Sequence, residues 1–142
     1  MPSKAVVVNS SPLITLFNSQ LIGLLPQLFE IIQVPPAVWR EVTAYKTDTA
    51  AQSLPESAWA IQTDAVSIHP SIAAWDLGAG ETEVLSYALL HPGYTAMIDD
   101  AAARRCAISL NVPTLGTAGL VVLAKRRGLI ASIDELNQVE CS

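Results

Sequence analysis

The sequence predicts an α/β fold, a three-layer α/β/α sandwich around a central, mainly parallel sheet. Three observations predict it. Short apolar runs without alternation, such as Ala5-Val6-Val7-Val8, suit strands buried on both faces. Segments with helical spacing follow them, so strand and helix candidates alternate along the chain. No internal repeat, linker or low-complexity tract breaks the series, so residues 1–142 read as one domain.

The elements follow in order. Ala5–Val8 is the first strand candidate, and Asn9-Ser10-Ser11-Pro12 ends it. Ser11 before Pro12 reads as a helix N-cap and first helical position, with the helix continuing through Leu13, Ile14, Leu16 and Phe17. Leu21 to Leu28 reads as a second short helix despite Pro26. Glu30-Ile31-Ile32-Gln33-Val34 is the second strand candidate, and Pro35-Pro36 opens a helix on which Val38, Val42 and Tyr45 share a face, with Glu41 beside it. Thr47 to Leu54 and Pro55 to Ile61 read as two short helices, and Ala65-Val66-Ser67-Ile68 as the third strand. Gly78-Ala79-Gly80 is a stop. Glu81 to Leu90 then shows helical periodicity through Leu85, Ala88 and Leu89, and His91-Pro92-Gly93 ends it. Tyr94 to Ile98 is the next strand, a helix follows to Leu110, and Asn111 to Leu115 supplies a short strand. Gly116-Thr117 opens a helix to Arg127, with Gly128 as its C′ residue. A short helix near Ile133 to Gln138 closes the chain.

Composition sets limits on function. Apolar residues make up 51% of the chain and the mean hydropathy is +0.38, enough for a sizeable core and against global disorder. With a net charge of −5, the chain is not drawn to nucleic acid by its overall field. Such binding would need local basic groups, Arg104-Arg105 or Lys125-Arg126-Arg127, or cations bridging to phosphate. Cys106 and Cys141 are too few for a disulfide framework. Met1-Pro2-Ser3-Lys4 precedes too short an apolar run for a signal peptide, and Leu115 to Ala124 is too short to cross a bilayer. The expectation is a cytoplasmic protein with no membrane partner, its apolar composition leaving room for a homodimer interface. His69 and His91 lack zinc spacing, and no G-x-S-x-G, H-E-x-x-H or P-loop occurs. Gly78-x-Gly80 lacks the third glycine of a dinucleotide loop, because Glu83 stands in its place.

The chemistry candidates are Asn9, Glu41, Glu81, Glu83, Asp99 and Asp100, at strand ends and helix starts. Carboxylates gathered in one place repel unless a cation or shared protons hold them, and oxygen ligands suit Mg²⁺ or Mn²⁺. In parallel sheets, ligands bind beyond the carboxyl ends of the strands, where the strand order switches. Asn9 and Asp99-Asp100 stand at such ends. Helix capping accounts equally well for one aspartate of the pair, and first-turn dipole stabilisation for Glu81 or Glu83.

Five segments, Val7 to Ile14, Val34 to Val42, Leu77 to Glu83, Ile98 to Arg104 and Thr114 to Thr117, together resemble the PIN domain superfamily. The likeness is greatest to its uncharacterised PIN-like branch related to toxin–antitoxin ribonucleases. It spans roughly residues 5–130. The resemblance implies an α/β/α sandwich and an acidic pocket that binds Mg²⁺ or Mn²⁺ and cleaves RNA, less often DNA. It implies a small antitoxin protein as partner. Carried over by position, the metal set is Asn9, Glu41, Glu81 and Asp99 or Asp100, and the same acids are the catalytic ones. Ser10 or Ser11 is the hydroxyl after the first acid, and Arg104 or Arg105 reaches RNA phosphate. The family usually has Asp where this chain has Asn9, so the alternative expectation is a degenerate module that binds nucleic acid or protein without cutting. In a purely structural alternative the acids serve only as caps.

Overall fold

Val6, Val7 and Val8 have no exposed surface, so the first strand is covered on both faces, as its unalternating pattern requires. A computed structural model of the chain describes residues 5–130. In it, strands β1 (Ala5–Val8), β2 (Ile31–Val34), β3 (Ala60–Gln62), β4 (Tyr94–Met97) and β5 (Thr114–Leu115) form one all-parallel sheet in the order β3-β2-β1-β4-β5. Between them lie helices α1 (Ser10–Asn18), α2 (Leu24–Leu28), α3 (Pro36–Thr43), α4 (Thr49–Ser53), α5 (Pro70–Ala73), α6 (Ala79–Leu90), α7 (Ala101–Ser109) and α8 (Thr117–Arg126), with a 3₁₀ turn at Leu54–Glu56. The core joins β1, β2 and β4 to Leu13 and Leu16 of α1, Val38 of α3, Leu85 of α6 and Leu120 of α8. Among the described residues, no helix is long and apolar enough to cross a membrane.

The sheet order positions the site. The chain lays β1, β2 and β3 outward in one direction, then returns past β1 to place β4 and β5 on the other side. The order therefore reverses between β1 and β4, where Val8 pairs with Met97. Just beyond, the Asn9 N–H donates to the Met97 carbonyl at 3.0 Å, and Ile98 N–H to the Leu115 carbonyl at 3.1 Å. Residues 9 and 98–100 thus leave the sheet side by side at its switch point.

Several expected elements shift. Asn9, not Ser11, occupies the N-cap of α1, so Pro12 sits inside the first turn, where a missing N–H costs nothing. The second helix shrinks to Leu24–Leu28, because Gln20 takes a left-handed backbone (φ 62°) and the chain turns before continuing. Helix α3 ends at Thr43, which leaves Tyr45 off the buried stripe and 73% exposed. The expected helix from Pro55 to Ile61 is instead a single 3₁₀ turn and then β3, and Ala65 to Ile68 is not a strand. Val34 recruits the nearer segment: its carbonyl accepts from Thr63 N–H at the end of β3. Helix α5 was not expected from the sequence; His69 caps it, its Nδ1 accepting from Ser71 N–H at 3.1 Å. Gly128 closes α8 with φ 75°, as its position predicts. The expected helix near Ile133 to Gln138, with Cys141 and Met1 to Lys4, lies outside the described residues.

Candidate functional site

Asn9 directly follows β1 and is only 2% exposed. Its backbone is that of an N-cap (φ −83°, ψ 167°), yet its side chain makes no capping bond to α1. Among the described residues, Asn9 Oδ1 is the one buried side-chain oxygen or nitrogen with no hydrogen-bond partner. An orphaned buried acceptor costs about 1–3 kcal/mol, so its persistence points to a group that completes it.

Two neighbours face it. Glu41, on the exposed side of α3, accepts a hydrogen bond at Oε2 from Ser10 Oγ at 2.9 Å. Gly80, buried in the first turn of α6, lies against both. A Cβ at residue 80 would stand 2.7 Å from Glu41 Oε1 and 2.8 Å from Asn9 Oδ1. Only a hydrogen at that position lets the amide and the carboxylate oxygen close on the same point. Thus β1, α1, α3 and α6 together build a small cradle of oxygens around the Gly80 Cα.

Asp99 leads a second group at the end of β4. Its Oδ1 accepts from Thr117 N–H at 2.8 Å and its Oδ2 from Thr117 Oγ1 at 2.6 Å. Thr117 is the first residue of α8, so Asp99 also sits at the positive end of that helix. Arg104 reaches the same place: its Nη1 lies 3.9 Å from where a Gly116 Cβ would be, and Asp99 Oδ1 lies 3.1 Å from it. Arg104 and Arg105 are both exposed on α7.

The remaining acids have local bonds. Asp100 caps α7, its Oδ2 accepting from Ala103 N–H at 2.9 Å. Glu83 reaches across to α3, where its Oε1 accepts from Ala37 N–H at 2.9 Å and satisfies a donor of that helix's first turn. Glu81 is half-buried and turns back along its own helix start, its Oε2 close to Gly78. Ser11 is exposed on α1. The structure therefore brings together Asn9, Ser10 and Glu41, and joins Asp99 to Thr117 near Arg104. Among the described residues, no three His, Cys, Asp or Glu side chains are grouped to hold a metal ion.

Three residues of this arrangement are not functional candidates in the sequence, although two of the segments that resemble PIN domains, Leu77 to Glu83 and Thr114 to Thr117, contain them. Gly80 reads there as part of a flexible stop, and Gly116-Thr117 as a helix start. Their roles depend on contacts 12 to 71 positions away in the chain, which local pattern does not reveal.

The oxygen set fits a hard divalent cation. An unpartnered buried amide oxygen and a carboxylate oxygen share one approach, with Ser10 holding the other carboxylate oxygen. It contributes one formal negative charge, where two carboxylates would contribute two. Set against known families, residues 5–139 match a family model described as a PIN domain. Comparison with curated proteins gives no match.

Proposed function

Because the chain belongs to the PIN domain family, whose fold is of nuclease type and whose members generally use divalent metal ions, we propose that it is a Mg²⁺- or Mn²⁺-dependent endoribonuclease. We read it as the toxin of a toxin–antitoxin pair, restrained by a small antitoxin protein. The single observation that carries the enzymatic reading is the orphaned Oδ1 of Asn9 facing Glu41 Oε1 over Gly80.

In this reading Asn9, Glu41, Glu81 and Asp99 or Asp100 would hold the ion. An ion bound there would supply an acidified water and offset charge on the scissile phosphate. The chain's own groups do the positioning. Ser10 Oγ fixes one oxygen of Glu41, leaving the other directed at the cradle. Thr117 holds both oxygens of Asp99, so the carboxylate keeps one orientation as RNA arrives. Arg104 and Arg105, exposed beside Asp99, supply cationic contacts to RNA phosphate, with the Ser11 hydroxyl a further polar contact. These local cations offset a net charge of −5 that otherwise disfavours RNA.

The test is cleavage of single-stranded RNA with Mn²⁺, with Mg²⁺ and with EDTA. Cleavage in the presence of metal should fall by about 100-fold or more in Glu41→Gln, on the scale of a lost electrostatic catalytic group. Equal cleavage by both proteins, or cleavage undiminished by EDTA, sinks the proposal.

Asn9 itself favours a second reading, a PIN module that binds RNA or a partner protein without cutting. An amide brings less charge to the cradle than the family's usual carboxylate, and hard-cation affinity follows ligand charge. If wild type is inert and Asn9→Asp cleaves, this second reading holds.

A further inference from the structure

A cavity of about 430 Å³ lies between the C-terminal half of α6 and the face of β2 and β3. Its volume is within the range of roughly 300–1,000 Å³ usual for small-ligand sites. The parallel register sets Gln33 of β2 beside Ile61 of β3, so both side chains meet the cavity from one face of the sheet. Helix α6 packs on β1 and β4, and the outer strands of that face are left to floor the opening.

Gln33 is the odd member of Ile31-Ile32-Gln33-Val34. Within a parallel sheet such a run is expected to be apolar throughout. Here a half-buried carboxamide faces the cavity and makes no hydrogen bond to another described residue. Opposite it, Tyr87 and His91 stack with ring centroids 4.0 Å apart and planes 17° apart. Tyr94 packs edge-on against Tyr87 at 5.1 Å, and the His91 Nδ1 engages the Tyr87 carbonyl at 2.9 Å. The rings are thereby held as a fixed stack beside the cavity. Gln62 and Asp64 stand at the rim.

Charge selects the occupant. The lining contains Asp64 and neither Lys nor Arg. A phosphate would be repelled, and a group rich in N–H donors would be drawn in. Two carboxamides supply donors and acceptors, and a stacked aromatic wall favours a planar ring. Single-stranded RNA is read by this combination of ring stacking and edge hydrogen bonds. Carboxamides pair with adenine and carboxylates with the cytosine amino group.

We propose that this cavity takes one unstacked nucleobase bearing an exocyclic amino group, stacked on the His91–Tyr87 wall and hydrogen-bonded by Gln33 and Asp64. The RNA context rests on the ribonuclease reading above; the base recognition does not. Along α6, Tyr87 and His91 follow Gly80 by seven and eleven residues, about 10 and 17 Å at the helical rise. A strand crossing both sites would have a base read a short distance from the phosphate at the oxygen cradle, giving the cleavage a base preference.

The test uses metal-free protein in EDTA, titrated with adenosine, cytidine or uridine and followed by backbone and side-chain amide NMR. Adenosine or cytidine should shift the resonances of Gln33, Asp64 and His91, and uridine should bind about tenfold more weakly for want of the amino group. Gln33→Leu and Asp64→Ala should each weaken adenosine or cytidine about tenfold, whereas Glu41→Gln should leave binding unchanged. Asp64 lies on an exposed segment, so Asp64→Ala decides the matter even if Gln33→Leu misfolds. No shift with any nucleoside, uridine binding as tightly as the others, or wild-type affinity in Asp64→Ala overturns the proposal. None of these results bears on cleavage, which needs the metal these experiments exclude.

Discussion

At the scale of single residues, Gly80 separates the requirements of the site from those of the fold. Its backbone is helical, so alanine suits the position locally and gains up to about 1 kcal/mol of helix propensity over glycine. The new Cβ would fall 2.7 Å from Glu41 Oε1 and 2.8 Å from Asn9 Oδ1, both closer than packed atoms allow. Glu41 is exposed and swings away at little cost, whereas Asn9 is buried and held by the chain around it. Gly80→Ala should therefore lose several degrees of thermal midpoint, the crowding of buried Asn9 outweighing the gain in helix propensity. Mn²⁺ affinity, read by calorimetry, should drop by about tenfold or more as the cradle closes. Retained affinity would show that the two oxygens do not share a ligand.

At the scale of elements, acids predicted for chemistry also hold helices in place. Asp100 satisfies Ala103 N–H at the start of α7, and Glu83 satisfies Ala37 N–H at the start of α3. The second bond is the more informative, because it ties α6 to the helix that carries Glu41. Asp100→Ala should cost about 1 kcal/mol in urea unfolding, and Asp100→Ser, which restores a capping oxygen, should recover most of it. Glu83→Ala should cost a similar ~1 kcal/mol and loosen the seating of α3. A stability loss in Asp100→Ala that serine leaves unrepaired would mean that charge, not capping, is what the position supplies.

At the scale of the whole molecule, the β1/β4 switch and the α6 helix unite distant parts of the chain. The far end of that helix has its own electrostatics. Burial, with a smaller contribution from the Tyr94 hydroxyl, pushes the Tyr87 phenol up to about 12 from its ordinary 10.0. A raised value means the folded state keeps its proton longer than the unfolded chain. The associated stability is therefore fully present below pH 10 and is lost as pH rises from about 10 to about 12. Urea midpoints measured from pH 9 to 11.5 should fall more steeply in wild type than in Tyr87→Phe. Parallel slopes would show that the phenol titrates alike in both states.

The alternation of strands and helices, the burial of β1, the α8 stop at Gly128 and the aspartate pair at the end of β4 were all legible in the sequence, because each follows from local pattern or from one residue's backbone preference. The region between α3 and α6 was not. There a weak segment became β3 because β2 offered it an open edge, and propensity alone does not see an edge. The list of acids was likewise readable, but their division of labour was decided only by tertiary contacts. Which oxygen stays without a partner, which carboxylate caps a helix and which glycine makes room depend on distances between residues far apart in the chain. Local sequence specifies what a segment prefers to be. Only packing brings Asn9, Glu41 and Gly80 to one point, because that meeting is a property of the sheet order rather than of any segment in it.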